Sequence, residues 1–232
     1  MNMSGKNNCP QPTRLTTSNH CVVVPVYEDY DGLLGLLNQN IGYNIIAVID
    51  GKNAQKSIDL ANAHGCCVNA RVGKRGYGRA IIDGLEMAAD NGYEYATVMD
   101  LDTCDVQYMQ DTTRGDILCR NRKIKTINPR VLLSIIAALL TSIALGKFIK
   151  DATHGYRTYR LEHVIPILKK VRTNGHATNM EILCLSILNN LHICWTQVPY
   201  ILTGKSELRL ADMKESIKCL LTIYGYQLLM LL

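Results

Sequence analysis

Two aspartates stand two residues apart directly after an apolar segment. Asp100 and Asp102 follow residues 95–99 (YATVM), which have the composition of a buried strand. Carboxylates at positions i and i+2 leave the end of a strand in the same direction, and hard divalent cations prefer such oxygen ligands. A cation held there would stabilise a leaving diphosphate. The alternative is a solvated turn in which an aspartate acts as a cap.

A glycine-rich segment, residues 73–78 (GKRGYG), lies between a predicted strand and a predicted helix. Its glycines let the backbone approach a ligand, and the N-terminus of the following helix favours an anion. Lys74 and Arg75 add positive charge. The segment is neither GxGxxG nor a P-loop, because the closing GKS or GKT is absent. A tight connection with solvated charges is the alternative.

Charged residues change sign along the middle of the chain. Arginine binds phosphate well through its planar guanidinium, so an acidic metal site followed by a basic segment suits a diphosphate beside a second anion. A solvated charged face is the alternative. The acids of 90–111 are Asp90, Glu94, Asp100, Asp102, Asp105 and Asp111, and the bases of 114–130 are Arg114, Arg120, Arg122, Lys123, Lys125 and Arg130, against the single acid Asp116.

A polar segment, residues 151–160 (DATHGYRTYR), follows an apolar one. Asp151, His154 and Arg157 could together line a site for an acceptor. Each also has a simpler interpretation, since Asp151 could cap a helix and a single histidine is more often structural. The segment therefore predicts an acceptor site only in combination with the other motifs.

Apolar and amphipathic segments alternate through the first hundred residues, which predicts βαβ units and a parallel sheet. Ligands bind outside the carboxyl ends of the strands in such sheets. Three of the four predicted strands end on suitable polar residues, in 25–29, at Asp50 and at Asp100. The predicted strands are 21–25, 43–50, 67–72 and 95–99, and the predicted helices are 31–38, 53–64 and 79–91.

The composition describes one folded α/β domain. The chain has 232 residues, of which 47% are hydrophobic, and a net charge of +5. No basic run is interleaved with aromatic residues, so we expect no nucleic-acid partner. The nine cysteines have no repeated spacing. This predicts reduced thiols in a cytosolic protein, not a disulfide framework or a zinc site.

Three segments bear on domain organisation. Residues 1–20 are polar and predict a flexible tail, not a signal peptide. Residues 21–210 are predicted to form the catalytic domain, and 211–232 an apolar helix that could associate with a membrane. Residues 131–145 (VLLSIIAALLTSIAL) are fewer than the roughly twenty that a spanning helix needs. They fit either a buried core helix or an interfacial helix.

Together these motifs resemble those of the GT-A fold, family 2 glycosyltransferases, and in particular the dolichyl-phosphate mannose and glucose synthases. That branch shows VPxYNE, VDDGS, GYGxA, DADLQ, GSR and DxxSGFRxY motifs, a helix with a single Glu and a GxSKL element. The corresponding segments here are 24–29 (VPVYED), 48–51 (VIDG), 75–80 (RGYGRA), 99–102 (MDLD), 119–122 (CRNR), 151–159 (DATHGYRTY), 179–181 (NME) and 204–208 (GKSEL).

The resemblance implies a GT-A sheet, mostly parallel and flanked by helices. It also implies inverting transfer of mannose or glucose from GDP-mannose or UDP-glucose to a polyprenyl (dolichyl) phosphate, with Mg²⁺ or Mn²⁺ as cofactor. The enzyme would be peripheral at the cytoplasmic face of a membrane, with or without a membrane protein partner. The implied roles are Asp100 and Asp102 for metal, Asp102, Asp151 and Arg122 for catalysis, Pro25, Tyr27, Asp29, Asp50, Lys74, Gly76 and Asp100 for the nucleotide sugar, and Arg122, Arg130, His154 and Arg157 for the acceptor phosphate.

Several positions depart from the family pattern. Gly51 replaces an acid, Cys104 replaces the glutamine of DADLQ, Arg120 replaces a glycine and His154 replaces a serine. A third metal ligand is therefore uncertain, and Asp105 is a substitute.

Three other functions stay open at this point. One is a family 2 transferase onto a sugar hydroxyl, for which Asp151 would be the general base. Another is a non-catalytic, glycosyltransferase-like scaffold protein. The third is a nucleotidyltransferase, which would need a GxGxR-type loop directly after the first strand, where Pro25 stands instead.

Overall fold

A computed structural model describes residues 19–39, 41–71, 76–101, 115–123, 129–199 and 210–230. Helices and strands alternate along most of this length. Their order is β1 (His20–Tyr27), α1 (Tyr30–Leu37), β2 (Asn44–Asp50), α2 (Ala54–Ala63), β3 (Cys67–Ala70), α3 (Tyr77–Asp90), β4 (Tyr95–Val98), β5 (Ile117–Lys123), α4 (Pro129–Leu145), β6 (Arg157–Arg160), α5 (Leu161–Leu168), α6 (Thr178–Leu188), β7 (Ile193–Pro199) and α7 (Leu210–Met230).

The strands form one seven-stranded sheet in the order β3-β2-β1-β4-β6-β5-β7. Strand β6 is antiparallel to both of its neighbours, β4 and β5, and every other pairing is parallel. The carboxyl ends of the other six strands and the amino end of β6 therefore meet at one edge. We call this the carboxyl edge. The predicted mostly parallel α/β sheet is confirmed.

The sheet is buried on both faces, as strand β1 illustrates. Val22, Val24 and Val26 belong to one apolar cluster, and Cys21 and Val23 belong to another on the opposite face. Successive side chains of a strand point to opposite faces, so a strand covered on both sides reads as a continuous apolar run. This is why the run of residues 21–25 predicted a central strand.

Helix α3 lies unusually close to the sheet. A Cβ added at Gly84 would lie 2.3 Å from Val23 Cγ1 and 2.9 Å from Val48 Cγ2. The helix begins at Tyr77, two residues before its predicted start. Its first turn therefore lies at the carboxyl edge, next to the end of β4.

Residues 131–145 lie in helix α4, which is buried on one side and exposed on the other. Its inner side chains include Val131, Ala138 and Leu145, which are buried. Along its outer side runs a row of six apolar residues, each 42–64% exposed, at helical spacing. We call this row the α4 stripe, and its members are Leu132, Ile135, Ile136, Leu139, Leu140 and Ile143.

Helix α7 packs against α4 and carries exposed apolar residues of its own, Ile217, Leu221 and Tyr224. Across the described parts of the chain, no helix combines the length and the apolar character needed to cross a membrane.

The cysteines follow the prediction with one correction. Six described cysteines are free thiols, and five of these are buried: Cys21, Cys66, Cys119, Cys184 and Cys219, with Cys194 partly exposed. Cys67 is disulfide-bonded. The expectation of reduced thiols is therefore wrong for Cys67.

Candidate active site

Asp100 lies at the carboxyl edge, where the chain leaves β4. The hydroxyl of Tyr77, in the first turn of α3, donates to Asp100 Oδ1 at 2.7 Å, and Asn179 Nδ2 donates to the Tyr77 oxygen at 3.3 Å. Burial, and then the Asp100 carboxylate, raise the pKa of Tyr77 well above its usual value. The phenol therefore stays protonated and keeps the carboxylate oriented.

Gly155 completes the surroundings of Asp100. A Cβ at this position would lie 2.7 Å from the Tyr77 hydroxyl and 3.0 Å from Asp100 Oδ2. Only a glycine lets the loop before β6 approach so closely. Segments that are 55 residues apart in sequence thus meet at the carboxylate.

The Asp100 carboxylate is a ligand of the kind that Mg²⁺ and Mn²⁺ bind. The Tyr77 hydroxyl that contacts Asp100 is a neutral donor. Asp102, Cys104 and Asp105 lie outside the described residues. Within the described residues, no three His, Cys, Asp or Glu side chains are grouped closely enough to hold a metal ion.

The end of β1 and the residues that follow it form the adjoining part of the carboxyl edge. Pro25 pairs with Val48 inside the sheet, and Tyr27, at the end of β1, is 49% exposed. Asp29 caps α1, where its Oδ1 accepts from Gly32 N at 2.9 Å. Nucleotide contacts by Pro25, Tyr27 and Asp29 stay predictions.

The glycine that replaces the second acid of the family motif has a structural reason. Gly51 has a φ of +122°, and a Cβ there would lie 2.6 Å from Glu28 Cγ. Glu28 Oε1 in turn accepts from Lys52 N at 3.0 Å. The Glu28 side chain therefore occupies the space that a side chain at position 51 would need.

Replacing Gly51 with aspartate should destabilise the fold by about 1–3 kcal/mol, because the backbone strain adds to the contact with Glu28. The same replacement in a Glu28→Ala background is the matched control, because it keeps the backbone conformation of position 51 and removes the contact with Glu28. Urea denaturation of both variants separates the two contributions. Equal losses would show that Glu28 does not restrict position 51.

Asp50 is bound to a residue that sequence reasoning missed. Asp50 Oδ2 lies 3.4 Å from Arg71 Nη1, and both side chains are buried. Arg71 also lies 3.3 Å from Asp83 and donates to the carbonyl of Gly76 at 3.3 Å. Arg71 follows β3 at the carboxyl edge, and its position after an apolar strand was the available signal. Lys74 lies outside the described residues.

Arg122 and Asp151 form a bidentate ion pair. Arg122 Nε lies 2.8 Å from Asp151 Oδ2, and Arg122 Nη2 lies 2.9 Å from Oδ1. Both side chains are only 9% exposed. Burial alone raises the pKa of Asp151, but the charge and hydrogen bonds of Arg122 outweigh it and lower the pKa to about 2. The structure thus brings together two predicted catalytic residues, and it makes Asp151 a weak base.

His154 and Arg157 have other partners than the predicted acceptor phosphate. Arg157 is 1% exposed and donates to the carbonyl oxygens of Asn179 and Ala152. His154 is buried, with Nδ1 against the carbonyl of Arg120. Burial, and then the charge of Arg122, lower the pKa of His154 to about 4. The ring is therefore neutral at pH 7, and both residues support the loop from inside.

Arg120, another departure from the family pattern, is also an interior residue. It is 1% exposed, donates to Thr158 Oγ1 at 2.9 Å and lies with its guanidinium carbon 4.4 Å from the centre of the Tyr156 ring. A neighbouring hydroxyl and an aromatic face thus accommodate a charge where the family has glycine.

A small pocket opens beside the Arg122–Asp151 pair. It lies between the end of β5 and the first turns of α4, at the start of the α4 stripe. Its lining combines two cationic side chains, one carboxylate, one hydroxyl and two aliphatic groups: Arg122, Lys150, Asp151, Ser134, Val131 and Ile135. Lys150 was not predicted. The side chain of Arg130, which was predicted to bind the acceptor, lies outside the described part.

The pocket and Asp100 share one loop. Asp151 pairs with Arg122 at the pocket, whereas Gly155 packs against Asp100. Four residues of fully extended chain span at most about 14 Å. Asp100 and the pocket are therefore joined by one short segment of the chain.

No protein-family model matches the sequence. Solved structures of glucosyl-3-phosphoglycerate synthase from Mycobacterium tuberculosis resemble the chain at 16% identity. The complex with Mn²⁺, UDP and glucosyl-3-phosphoglycerate has a TM-score of 0.64 and covers 89% of this chain and 80% of that one. The complex with Mn²⁺ and UDP-glucose has a TM-score of 0.63 and covers 89% and 79%. The fold is therefore the GT-A fold.

A curated relative, undecaprenyl-phosphate mannosyltransferase from Micrococcus luteus, is 24% identical over 179 residues, which are 68% of this chain and 74% of the relative. The predicted resemblance to polyprenyl-phosphate glycosyltransferases is confirmed by this relative. The relative and the solved neighbours are all glycosyltransferases, and they support a glycosyltransferase enzyme.

Proposed function

We propose that this protein transfers a hexose from a nucleotide sugar to a polyprenyl phosphate at a membrane surface. The observation that carries the proposal is the pocket lined by Arg122 and Lys150 at the start of the α4 stripe. A cationic pocket that continues into an exposed apolar surface matches a phosphate joined to a hydrocarbon tail. The name of the Micrococcus luteus relative gives the same acceptor class.

The donor would bind at the carboxyl edge, around Asp100. Asp100 and Asp102 would hold Mg²⁺ or Mn²⁺, which when bound neutralises charge on the leaving diphosphate. Solved neighbours contain Mn²⁺ or Mg²⁺ with UDP, and the relative is a mannosyltransferase. GDP-mannose and UDP-glucose are therefore the two donors to test. Pro25, Tyr27 and Asp29 would border the nucleotide.

The acceptor phosphate would bind in the pocket. Arg122 and Lys150 carry two positive charges against the single negative charge of Asp151, so the lining is net positive. Ser134 adds a hydroxyl, and the N-terminal end of α4 adds its positive dipole. The polyprenyl tail would leave the pocket along the α4 stripe.

The transfer itself would be a single displacement at the anomeric carbon. A phosphate oxygen of the acceptor attacks C1 as the bond from C1 to the donor's β-phosphate oxygen breaks, and the electron pair leaves with the nucleoside diphosphate. The attacking oxygen is already anionic, so no general base is needed. The chain supplies positioning and charge neutralisation through Arg122 and Lys150.

The state of Asp151 supports a phosphate acceptor over a hydroxyl acceptor. A hydroxyl acceptor needs a general base, and an effective base has a pKa near the working pH. The pKa of Asp151 is lowered to about 2, and both of its oxygens accept from Arg122. Asp151 is better suited to hold Arg122 at the pocket.

The α4 stripe would lie on the membrane. Six apolar side chains in one exposed row form the kind of patch that marks a membrane or protein interface. A helix lying in the interface needs no spanning length. The site would then act from the cytoplasmic face, where nucleotide sugars are supplied.

The test is a transfer assay with the full chain and Mn²⁺. Labelled GDP-mannose or UDP-glucose is offered with undecaprenyl phosphate in vesicles, or with 3-phosphoglycerate, the acceptor class of the solved neighbours. We expect label in the lipid fraction with one donor. Label found only in a water-soluble product would overturn the lipid acceptor, and no transfer with any pair would favour the scaffold alternative.

Lys150→Gln makes the assay specific for the pocket. We expect a higher KM for the lipid acceptor and an unchanged KM for the donor. Lys147→Gln is the matched control, because Lys147 is an exposed lysine of the same connection that does not line the pocket. Equal effects of the two substitutions would contradict a role for Lys150.

A further inference from the structure

The loop 172–176, between α5 and α6, is held by carboxylates from two helices. Glu181 of α6 accepts from Arg172 N and from Thr173 N and Oγ1. Glu215 of α7 accepts from Asn174 N at 2.9 Å and from Gly175 N at 3.1 Å. Four consecutive backbone N–H groups therefore donate to two carboxylates. The second carboxylate, Glu215, is 40 residues after Gly175 in the chain.

The other side of this loop contacts the start of α3. The carbonyl of Asn174 accepts from Gly78 N at 2.8 Å, and a Cβ at Gly76 would lie 2.4 Å from that carbonyl oxygen. The His176 ring stacks on Tyr77, with centroids 4.7 Å apart. Asn174 thus links two helices. Its N–H donates to α7, and its carbonyl accepts from the first turn of α3.

Tyr77 carries this connection to the candidate metal ligand. Its hydroxyl donates to Asp100 Oδ1 at 2.7 Å, and its ring is fixed on one side by His176. A shift of loop 172–176 would therefore move Tyr77 and reorient the Asp100 carboxylate. Displacements of about 1 Å from remote changes can lower the rate of a reaction about 100-fold.

We propose that Glu215 is a positioning residue for the donor site, and that it acts through loop 172–176 and Tyr77 on Asp100. This inference rests on the proposed function. Glu215 stands two residues before Ile217 in the exposed apolar row of α7. Helix α7, which packs against the α4 helix proposed to lie on the membrane, would thus also hold the donor site in place.

Glu215→Ala tests the proposal. We expect the KM for the nucleotide sugar to rise about tenfold or more, with the KM for the lipid acceptor unchanged. Glu215→Gln keeps one acceptor oxygen and should lie between Glu215→Ala and wild type. Glu162→Ala is the charge-matched control. Glu162 is 74% exposed, and its ion pair with Arg160 does not involve loop 172–176. Its donor KM should match wild type.

Hydrogen exchange gives a readout that does not need activity. In Glu215→Ala, amides of 172–176 and 76–80 should exchange faster than in wild type, whereas amides of β1 should not change. Unchanged exchange at 76–80, or an unchanged donor KM in Glu215→Ala, would overturn the positioning role. A wild-type chain without transfer would overturn the proposed function instead, and exchange would still decide whether Glu215 holds the loop.

Discussion

Asp100→Asn should lower the rate of sugar transfer at least about 100-fold, the loss typical when one group that stabilises transition-state charge is removed. Asparagine keeps an oxygen that can accept from the Tyr77 hydroxyl, so this buried contact and the fold should survive. What disappears is the negative charge that would hold the cation. Initial rates over a range of Mn²⁺ concentrations, with circular dichroism to verify folding, measure the effect.

Tyr77→Phe is the companion to this variant. It removes the hydrogen bond to Asp100 and keeps the carboxylate, so the loss of rate should be much smaller than in Asp100→Asn. A rate close to wild type in Asp100→Asn at limiting Mn²⁺ would contradict a metal role for Asp100. A larger loss in Tyr77→Phe than in Asp100→Asn would show that orientation matters more than charge.

Arg122→Ala should destabilise the fold by about 3–5 kcal/mol, the usual cost when one member of a buried ion pair is removed. The buried Asp151 would lose its bidentate partner. The same change removes a cation from the acceptor pocket, so transfer to the lipid should fall even where the protein is folded. Urea denaturation and the KM for the lipid acceptor measure the two effects separately.

The pH dependence of this variant has a definite sign. In wild type the pKa of Asp151 is lowered from 3.8 to about 2, so the ion pair contributes stability above about pH 4 and loses it as the pH falls towards 2. Arg122 is the strongest influence that lowers this pKa, so its removal should raise the pKa, and acidification should recover part of the lost stability. Arg122→Lys keeps the charge and should lose less. A pH-independent loss in Arg122→Ala would contradict the pairing.

Local sequence features predicted the parallel half of the fold well. The apolar run of β1 and the acids after β2 and β4 stand where chain order alone places them at the carboxyl edge. Strand β6, which is four residues long (RTYR), has no apolar alternation. It is a strand because it pairs with both β4 and β5, and such non-local pairing leaves no mark on the sequence.

The sequence motifs predicted which residues belong to the candidate site, but not which side chains contact each other. Asp100 and Gly155 belong to predicted motifs, but their contact and the partners of Asp50 and Arg157 depend on tertiary packing. Lys150 was missed because a lone basic residue has no pattern around it, and Arg71 was missed although it follows the apolar strand β3. The α4 stripe was also beyond prediction, since α4 is apolar on all sides and periodicity cannot tell which side is covered.

The length of α4 limits how the enzyme would discriminate between acceptors. The helix has 17 residues and is therefore about 25 Å long. A polyprenyl tail that leaves the pocket along the stripe gains contacts only until it reaches the last turn, near Ile143. Beyond that length, extra prenyl units would meet only lipid. The affinity for the acceptor should therefore rise with tail length among short acceptors and stay constant among long ones. Long acceptors of different origin would then be used equally well.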